Sequence, residues 1–90
     1  MEKGDVVTVM TSIGEYIARF EGMTSNGVTV TDPRLIVSNP QTQEIGFGRG
    51  VCMSAVENVD RVTFGDIIFV TKTNDKFTKA WREAVSGIIT

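Results

Sequence analysis

The strongest constraint on the fold is a pattern of β-type residues in which apolar and charged side chains alternate. Val6–Met10 and Tyr16–Phe20 are rich in β-branched and aromatic residues, and the short link between them contains Gly14. Because successive side chains of a strand point to opposite faces of a sheet, the second run predicts one buried face, although Ile17 interrupts its polar face. The two runs therefore predict a hairpin.

Turn signals divide the next segment into further strands. Gly22 lies where a strongly bent strand would need a residue without a Cβ atom, and Ser25–Gly27 is a turn sequence. Val28–Thr31 then resumes the alternation, which predicts a third strand ending near Asp32-Pro33. Leu35–Val37 would either extend that strand or pack beneath it, with Pro33 marking an edge or a bulge.

The second half of the sequence begins with a long polar segment. Residues 38–50 are rich in glycine and predict the principal loop, and residues 51–56 with Val59–Phe64 predict a long strand. After a Gly65-Asp66 turn, Ile67–Val70 forms a last strand that is apolar on both faces. Such a strand needs cover twice, once from the core and once from a helix or another subunit.

From Thr73 onward the spacing of apolar residues becomes helical. The apolar residues that recur at this spacing are Phe77, Trp81, Ala84, Val85 and Ile88. Thr73 or Asn74 is suited to cap the helix, and Asp75 lies in its first turn. We therefore expect a C-terminal α-helix over residues 73–89, with Phe77 and Trp81 packed onto the sheet.

Size and composition restrict how this chain can stabilise its core. The 90 residues fit one domain over residues 1–90, whose core must be thin. Cys52 is the only cysteine and histidine is absent, so neither an internal disulfide nor the usual zinc sites can form. Cys52 itself is expected to be an ordinary buried thiol. Oligomerisation remains as the means of enlarging the core.

Charge and hydropathy restrict location and partners. No run approaches the roughly 18 apolar residues of a membrane span, and the N-terminus leads directly into the first patterned run, so we expect a soluble, cytoplasmic protein. The formal net charge is −2, which argues against coating nucleic acid by bulk charge. Bases are nevertheless concentrated after Lys72.

Catalytic chemistry has little support in the sequence. Without histidine, Ser/His and Cys/His nucleophilic systems are excluded, and the acids show no paired spacing typical of an acid/base couple. The acids concerned are Asp32, Glu44, Asp60 and Asp66. We therefore expect a binding protein, without a cofactor or metal, and not an enzyme.

Read together, these segments resemble the Sm/LSm family of ring-forming RNA-binding proteins. The residues comparable with the family's first motif are Val7–Val9, Gly14, Ile17, Ala18, Phe20, Gly22 and Val28–Val30. Phe64–Val70 is similar to its second motif, an Arg-Gly pair leading into a short apolar strand. Phe64 stands where the family has arginine, and the helix is C-terminal instead of N-terminal. These departures would place the chain in a divergent, phage-type branch.

The resemblance implies a fold and a function. The fold would be mostly β: a small, strongly bent, five-stranded Sm-like or SH3-like barrel over residues 6–70, followed by the helix. Five to seven subunits would form a homo-oligomeric ring that binds single-stranded nucleic acid, RNA more than DNA. By this likeness, two loops would line the pore, and their residues are Thr24, Ser25, Asn26, Phe64, Gly65 and Asp66.

A glycine-rich segment supplies two further candidates. Phe47 and Arg49 are interleaved with three glycines at positions 46, 48 and 50, a composition suited to base stacking and phosphate contact. The spacing is not that of a nucleotide fingerprint, and the segment precedes a strand where that motif would open a helix. A hairpin tip with bulge glycines is the structural alternative.

Two other interpretations stay open. The same barrel could be a structural or adaptor protein that uses its sheet edges for protein contacts and binds no nucleic acid. An OB-fold is the weaker alternative, because its helix ordinarily lies between the third and fourth strands, where this chain has a glycine-rich loop.

Overall fold

The computed structural model describes residues 1–48 and 59–86. Its elements are β1 (Val6–Thr11), β2 (Gly14–Thr24), β3 (Gly27–Ser38), β4 (Ile45–Phe47), β5 (Arg61–Phe64), β6 (Ile67–Lys72) and α1 (Asp75–Ser86). The prediction of a mostly β domain with a C-terminal helix is confirmed. The predicted strand over residues 51–56, including Cys52, and the end of the predicted helix at residues 87–89 lie outside the described residues.

Over the described residues, the strands form one antiparallel sheet of six strands that does not close into a barrel. Its order is β4-β3-β2-β1-β6, and β5 pairs with β3 beside that path. β5 and β6 are consecutive in the chain but each pairs with a different strand, β3 and β1 respectively. For this part of the chain, the prediction of a closed five-stranded barrel was therefore wrong in strand number and closure. The sixth strand arises because Ile45–Phe47, expected to lie in the principal loop, pairs with Ile36–Ser38.

The predicted first hairpin is present and has a local cause. β1 and β2 pair from Val6↔Arg19 to Thr11↔Gly14, which leaves a two-residue turn. The buried Thr11 hydroxyl accepts hydrogen bonds from the backbone amides of Ile13 at 3.3 Å and Gly14 at 3.1 Å. It also donates to the Gly14 carbonyl at 2.9 Å. One side chain thus satisfies the backbone groups that the turn leaves without ladder partners.

Two register shifts bend the long pair formed by β2 and β3. One shift lies beside Ala18, where β3 inserts an extra residue and Asp32 adopts a φ of 50°. The strand continues through Pro33 to Ser38, past the end expected near Asp32-Pro33, so the alternative that Leu35–Val37 extends the third strand is confirmed. The second shift lies beside Gly22, as expected for a bend, but a Cβ atom at Gly22 would meet no atom within 4 Å. The extra residue there, not the lack of a side chain, produces the irregularity.

The core lies on one face of the bent sheet. Its buried residues are Val7, Val9, Tyr16, Ala18, Phe20, Val28 and Val30. Ile17 is also buried but points to the opposite face, since neighbouring strand residues alternate. The interruption of the polar face at Ile17 therefore marks the surface of β2 against which α1 packs.

The helix begins where the sequence predicted. The Asn74 side-chain oxygen accepts a hydrogen bond from the Phe77 amide at 2.9 Å, which makes Asn74 the N-cap, and Asp75 occupies the first turn. Trp81 is 1% exposed and Phe77 is half-buried. The expected packing of Trp81 is confirmed, while Phe77 keeps part of its surface exposed.

Among the residues that the structure describes, β6 is covered on one face only. Ile67 and Val70 pack against the core, whereas Ile68 is 64% and Phe69 is 48% exposed. Ile68 falls between the pairs Thr11↔Ile67 and Met10↔Phe69, so it is the extra residue of a bulge. Within the described part of the chain, the second cover that this strand needs is not supplied by α1. Over the same residues, no helix is long and apolar enough to cross a membrane.

Candidate nucleic-acid interface at two joined turns

Two turns that the sequence singled out lie against each other. They are Thr24–Gly27, between β2 and β3, and Phe64–Asp66, between β5 and β6, and together we call them the joined turns. β3 and β5 pair with Val28 opposite Phe64. A Cβ atom placed on Gly27 would lie 1.9 Å from the carbonyl oxygen of Phe64, and one on Gly65 would lie 3.3 Å from that of Asn26. The two backbones are therefore in direct contact.

The first turn is held by its own threonine. The Thr24 hydroxyl accepts a hydrogen bond from the Asn26 amide at 3.1 Å and donates one to the Gly27 carbonyl at 3.2 Å. Gly27 has a φ of 141°, a conformation that favours glycine. Thr24 is thus engaged within the turn, while the exposed Ser25 and Asn26 present a hydroxyl and an amide to solvent.

Phe64 is placed differently from the polar members of the site. It is half-buried, and its ring centroid lies 4.7 Å from that of Tyr16 with the planes tilted by 39°. It also packs against the core cluster. The centroid distance is within the range of stabilising aromatic pairs. Phe64 therefore connects the joined turns to the core, and only part of its ring is accessible to a ligand.

A third turn, which sequence reasoning missed, meets the second at Asp66. The Ser12 hydroxyl in the turn between β1 and β2 donates a hydrogen bond to the Asp66 carboxylate. Ser12 and its neighbour Ile13 are exposed. The sequence identifies residues 12–13 as a turn but carries no signal for this contact, because the two partners are joined only through the pairing of β1 with β6.

The glycine-rich candidates are not part of the joined turns. Phe47 is half-buried in β4 and pairs with Ile36, eight residues further along β3 than Val28. At about 3.3 Å per residue, that separation is up to about 26 Å along the strand. Phe47 lies within strand β4, whereas the tip of the β3–β4 hairpin is formed by residues 39–44, so Phe47 is not at a hairpin tip. Arg49 lies outside the described residues.

The electrostatics of the joined turns are weakly acidic. Asp66 is their only ionisable residue, and the nearby Arg61 on β5 forms an ion pair with Glu21 at 3.1 Å. Arg19 on β2 is paired with Asp32 at 2.9 Å. The turns therefore offer hydroxyl, amide and carboxylate groups suited to the hydrogen-bonding edges of bases, and no cation for a phosphate.

Comparisons with known proteins leave the site to be judged on its own geometry. No protein-family model, curated protein or solved structure matches the chain. Within residues 1–48 and 59–86, no group of three or more cysteine, aspartate or glutamate side chains is placed to hold a metal ion.

Proposed function

We propose that this chain is a homo-oligomeric, Sm-like protein that binds single-stranded nucleic acid, RNA in preference to DNA, at the joined turns. It is a binding protein and not an enzyme. The observation that supports the proposal is the direct contact between the turns at Gly27 and Phe64. The contact places the two sequence candidates for base recognition side by side on one subunit.

The chemistry of the joined turns favours bases over phosphates. Asn26 can both donate to and accept from a base edge, Ser25 can do the same with its hydroxyl, and Asp66 accepts from an exocyclic amine. Such edges are exposed in single strands and paired in duplexes. A site of this kind therefore discriminates by strand state.

Assembly supplies the affinity that one subunit lacks. One neutral hydrogen bond contributes about 1 kcal/mol, which corresponds to roughly a fivefold change in affinity. A ring of five to seven copies presents the same turns repeatedly to one strand, so that weak contacts add by avidity. The exposed Ile68 and Phe69 on β6 are the surface through which we propose that the copies associate.

The test is binding of a labelled oligouridylate of about 12 nucleotides, followed by fluorescence anisotropy at low salt. We expect tighter binding than for the DNA homologue, and tighter binding for either single strand than for a duplex. Asn26→Ala should weaken binding at least about fivefold without altering the oligomer. Gln41→Ala is the matched control, because Gln41 is an exposed amide in the turn between β3 and β4.

Two results would contradict the proposal. If the intact oligomer binds no oligonucleotide at low salt, nucleic acid is not its ligand. If Asn26→Ala and Gln41→Ala leave the affinity equally unchanged, the joined turns are not the site.

One observation favours a second candidate function, that of a structural or adaptor protein. Ile68 and Phe69 are large apolar side chains adjacent in sequence and exposed on an edge strand, a typical protein-contact surface. Three results together would identify an adaptor. The wild-type chain would be monomeric, it would bind no oligonucleotide, and Phe69→Glu would abolish its binding to a protein partner.

A further inference from the structure

A cavity of about 270 Å³ opens between the hairpin formed by β3 and β4 and the first turns of α1. Its lining residues are Gln43, Ile45, Lys76, Phe77 and Ala80. Pockets for drug-sized ligands have volumes of about 300–1,000 Å³, so this cavity fits a smaller group of about one ring system. It is separate from the joined turns, which adjoin the opposite end of β3.

The lining combines three kinds of contact. Phe77 and Ile45 offer an aromatic and an aliphatic surface, and Ile45 is 58% exposed although it faces the helix. Ala80 leaves the space that a larger side chain would fill. Gln43, which has a φ of 60°, contributes an amide side chain to the lining, and Lys76 contributes an ammonium group.

The charge around the cavity indicates an anionic occupant. Lys76, Lys79 and Arg82 are exposed and follow one another at intervals of three residues, which makes them neighbours on the helix surface. At 1.5 Å per residue they span about 9 Å of the helix axis. Within the described residues none of them forms an ion pair, and with the acids Asp75 and Glu83 counted α1 keeps a net charge of +1, which favours an anionic partner.

We infer that this cavity binds one unstacked base of a single-stranded nucleic acid, with the adjoining phosphate at Lys76. The base would stack on Phe77, its edge would meet the Gln43 amide, and the next phosphates would follow Lys79 and Arg82. This inference rests on the proposed function, because it takes single-stranded nucleic acid as the ligand. It involves none of the residues of the joined turns. It supplies the phosphate contacts that the joined turns lack.

The first experiment uses the full chain and three small probes: uridine 5′-monophosphate, uridine and inorganic phosphate. Amide chemical shifts of Gln43, Ile45 and Ala80 should move and saturate with the nucleotide, and each half of it should bind more weakly. Ala80→Leu fills the cavity, and Lys76→Gln removes the charge from an exposed position that the fold does not need. Each should lower affinity for the nucleotide and for labelled oligouridylate about 5- to 100-fold. Lys3→Gln, an exposed lysine outside the cavity, should change neither.

The outcomes separate this inference from the joined turns. If Ala80→Leu and Lys76→Gln weaken oligouridylate binding while Asn26→Ala does not, the cavity is a site and the joined turns are not. If only Asn26→Ala acts, the inference about the cavity is overturned and the proposed function stands. Equal shifts with inorganic phosphate alone would also overturn it. The inference would also be overturned if Ala80→Leu changed only the mass of the oligomer and left nucleotide binding unchanged. That result would identify a second copy of the chain as the occupant of the cavity.

Discussion

The indole nitrogen of Trp81 donates a hydrogen bond of 3.0 Å to the backbone carbonyl oxygen of Asp32. This bond fixes the helix to the irregular point of β3, where Asp32 has a φ of 50°. Arg19 completes the arrangement, with its guanidinium carbon 5.1 Å from the centroid of the indole ring and its nitrogen 2.9 Å from the Asp32 carboxylate. The helix, β2 and β3 are therefore connected through one side chain.

Trp81→Ala should lower the free energy of unfolding by about 3–5 kcal/mol, because it removes a large buried side chain. Trp81→Phe keeps an aromatic ring but removes the hydrogen bond, and should cost about 1–2 kcal/mol. Urea denaturation monitored by circular dichroism measures both. A loss below about 1 kcal/mol for Trp81→Ala would show that the helix is not held by this contact.

Gly27→Ala should be among the most destabilising substitutions of a small residue. The added Cβ would overlap the Phe64 carbonyl oxygen, and the φ of 141° is one that alanine rarely adopts. Backbone strain alone costs about 1–3 kcal/mol. Gly22→Ala is the control, because its Cβ would meet no atom within 4 Å and glycine weakens the interior of a strand. Equal melting temperatures for the two variants would contradict the joined arrangement of the turns.

Two substitutions at Phe64 separate packing from base stacking. Phe64→Ala should destabilise the fold by about 3 kcal/mol, since the ring packs on Tyr16 and the core. Phe64→Leu should retain most of the stability but lose the π face, and it should weaken oligonucleotide binding only if that face stacks on a base. Anisotropy at matched oligomer mass measures the second effect. Unchanged binding by Phe64→Leu would leave Phe64 a purely structural role.

If the copies associate through β6, a negative charge introduced on that strand should weaken the oligomer. The wild-type chain should be oligomeric at roughly tens of micromolar, because Ile68 and Phe69 need a cover that the described residues do not provide. Phe69→Glu should shift the mass measured by light scattering toward the monomer. Met23→Glu is the matched control, since Met23 is also an exposed apolar residue, on β2, with 63% exposure against 48% for Phe69. A monomeric wild type would remove the ring from the proposal.

The sequence by itself determined the local elements. Alternation predicted the β1–β2 hairpin and the strand after Gly27, because a period of two commits one face of a strand to the core. Helical spacing and Asn74 predicted α1, because capping and an apolar stripe are local properties. Even the exception at Ile17 was visible, although the sequence did not say that α1 would pack over that face.

Only the tertiary structure decided how the elements pair. The sequence left open whether Leu35–Val37 extends β3, and the choice depends on the φ at Asp32 and on a register shift that brings Arg34 opposite Ile17. Likewise, the hydrogen bond between Ser12 and Asp66 and the close approach of Gly27 to Phe64 each join residues that are far apart in the chain. Registers between distant strands follow from the sum of many weak contacts, whereas local periodicity fixes only which face of a strand is buried.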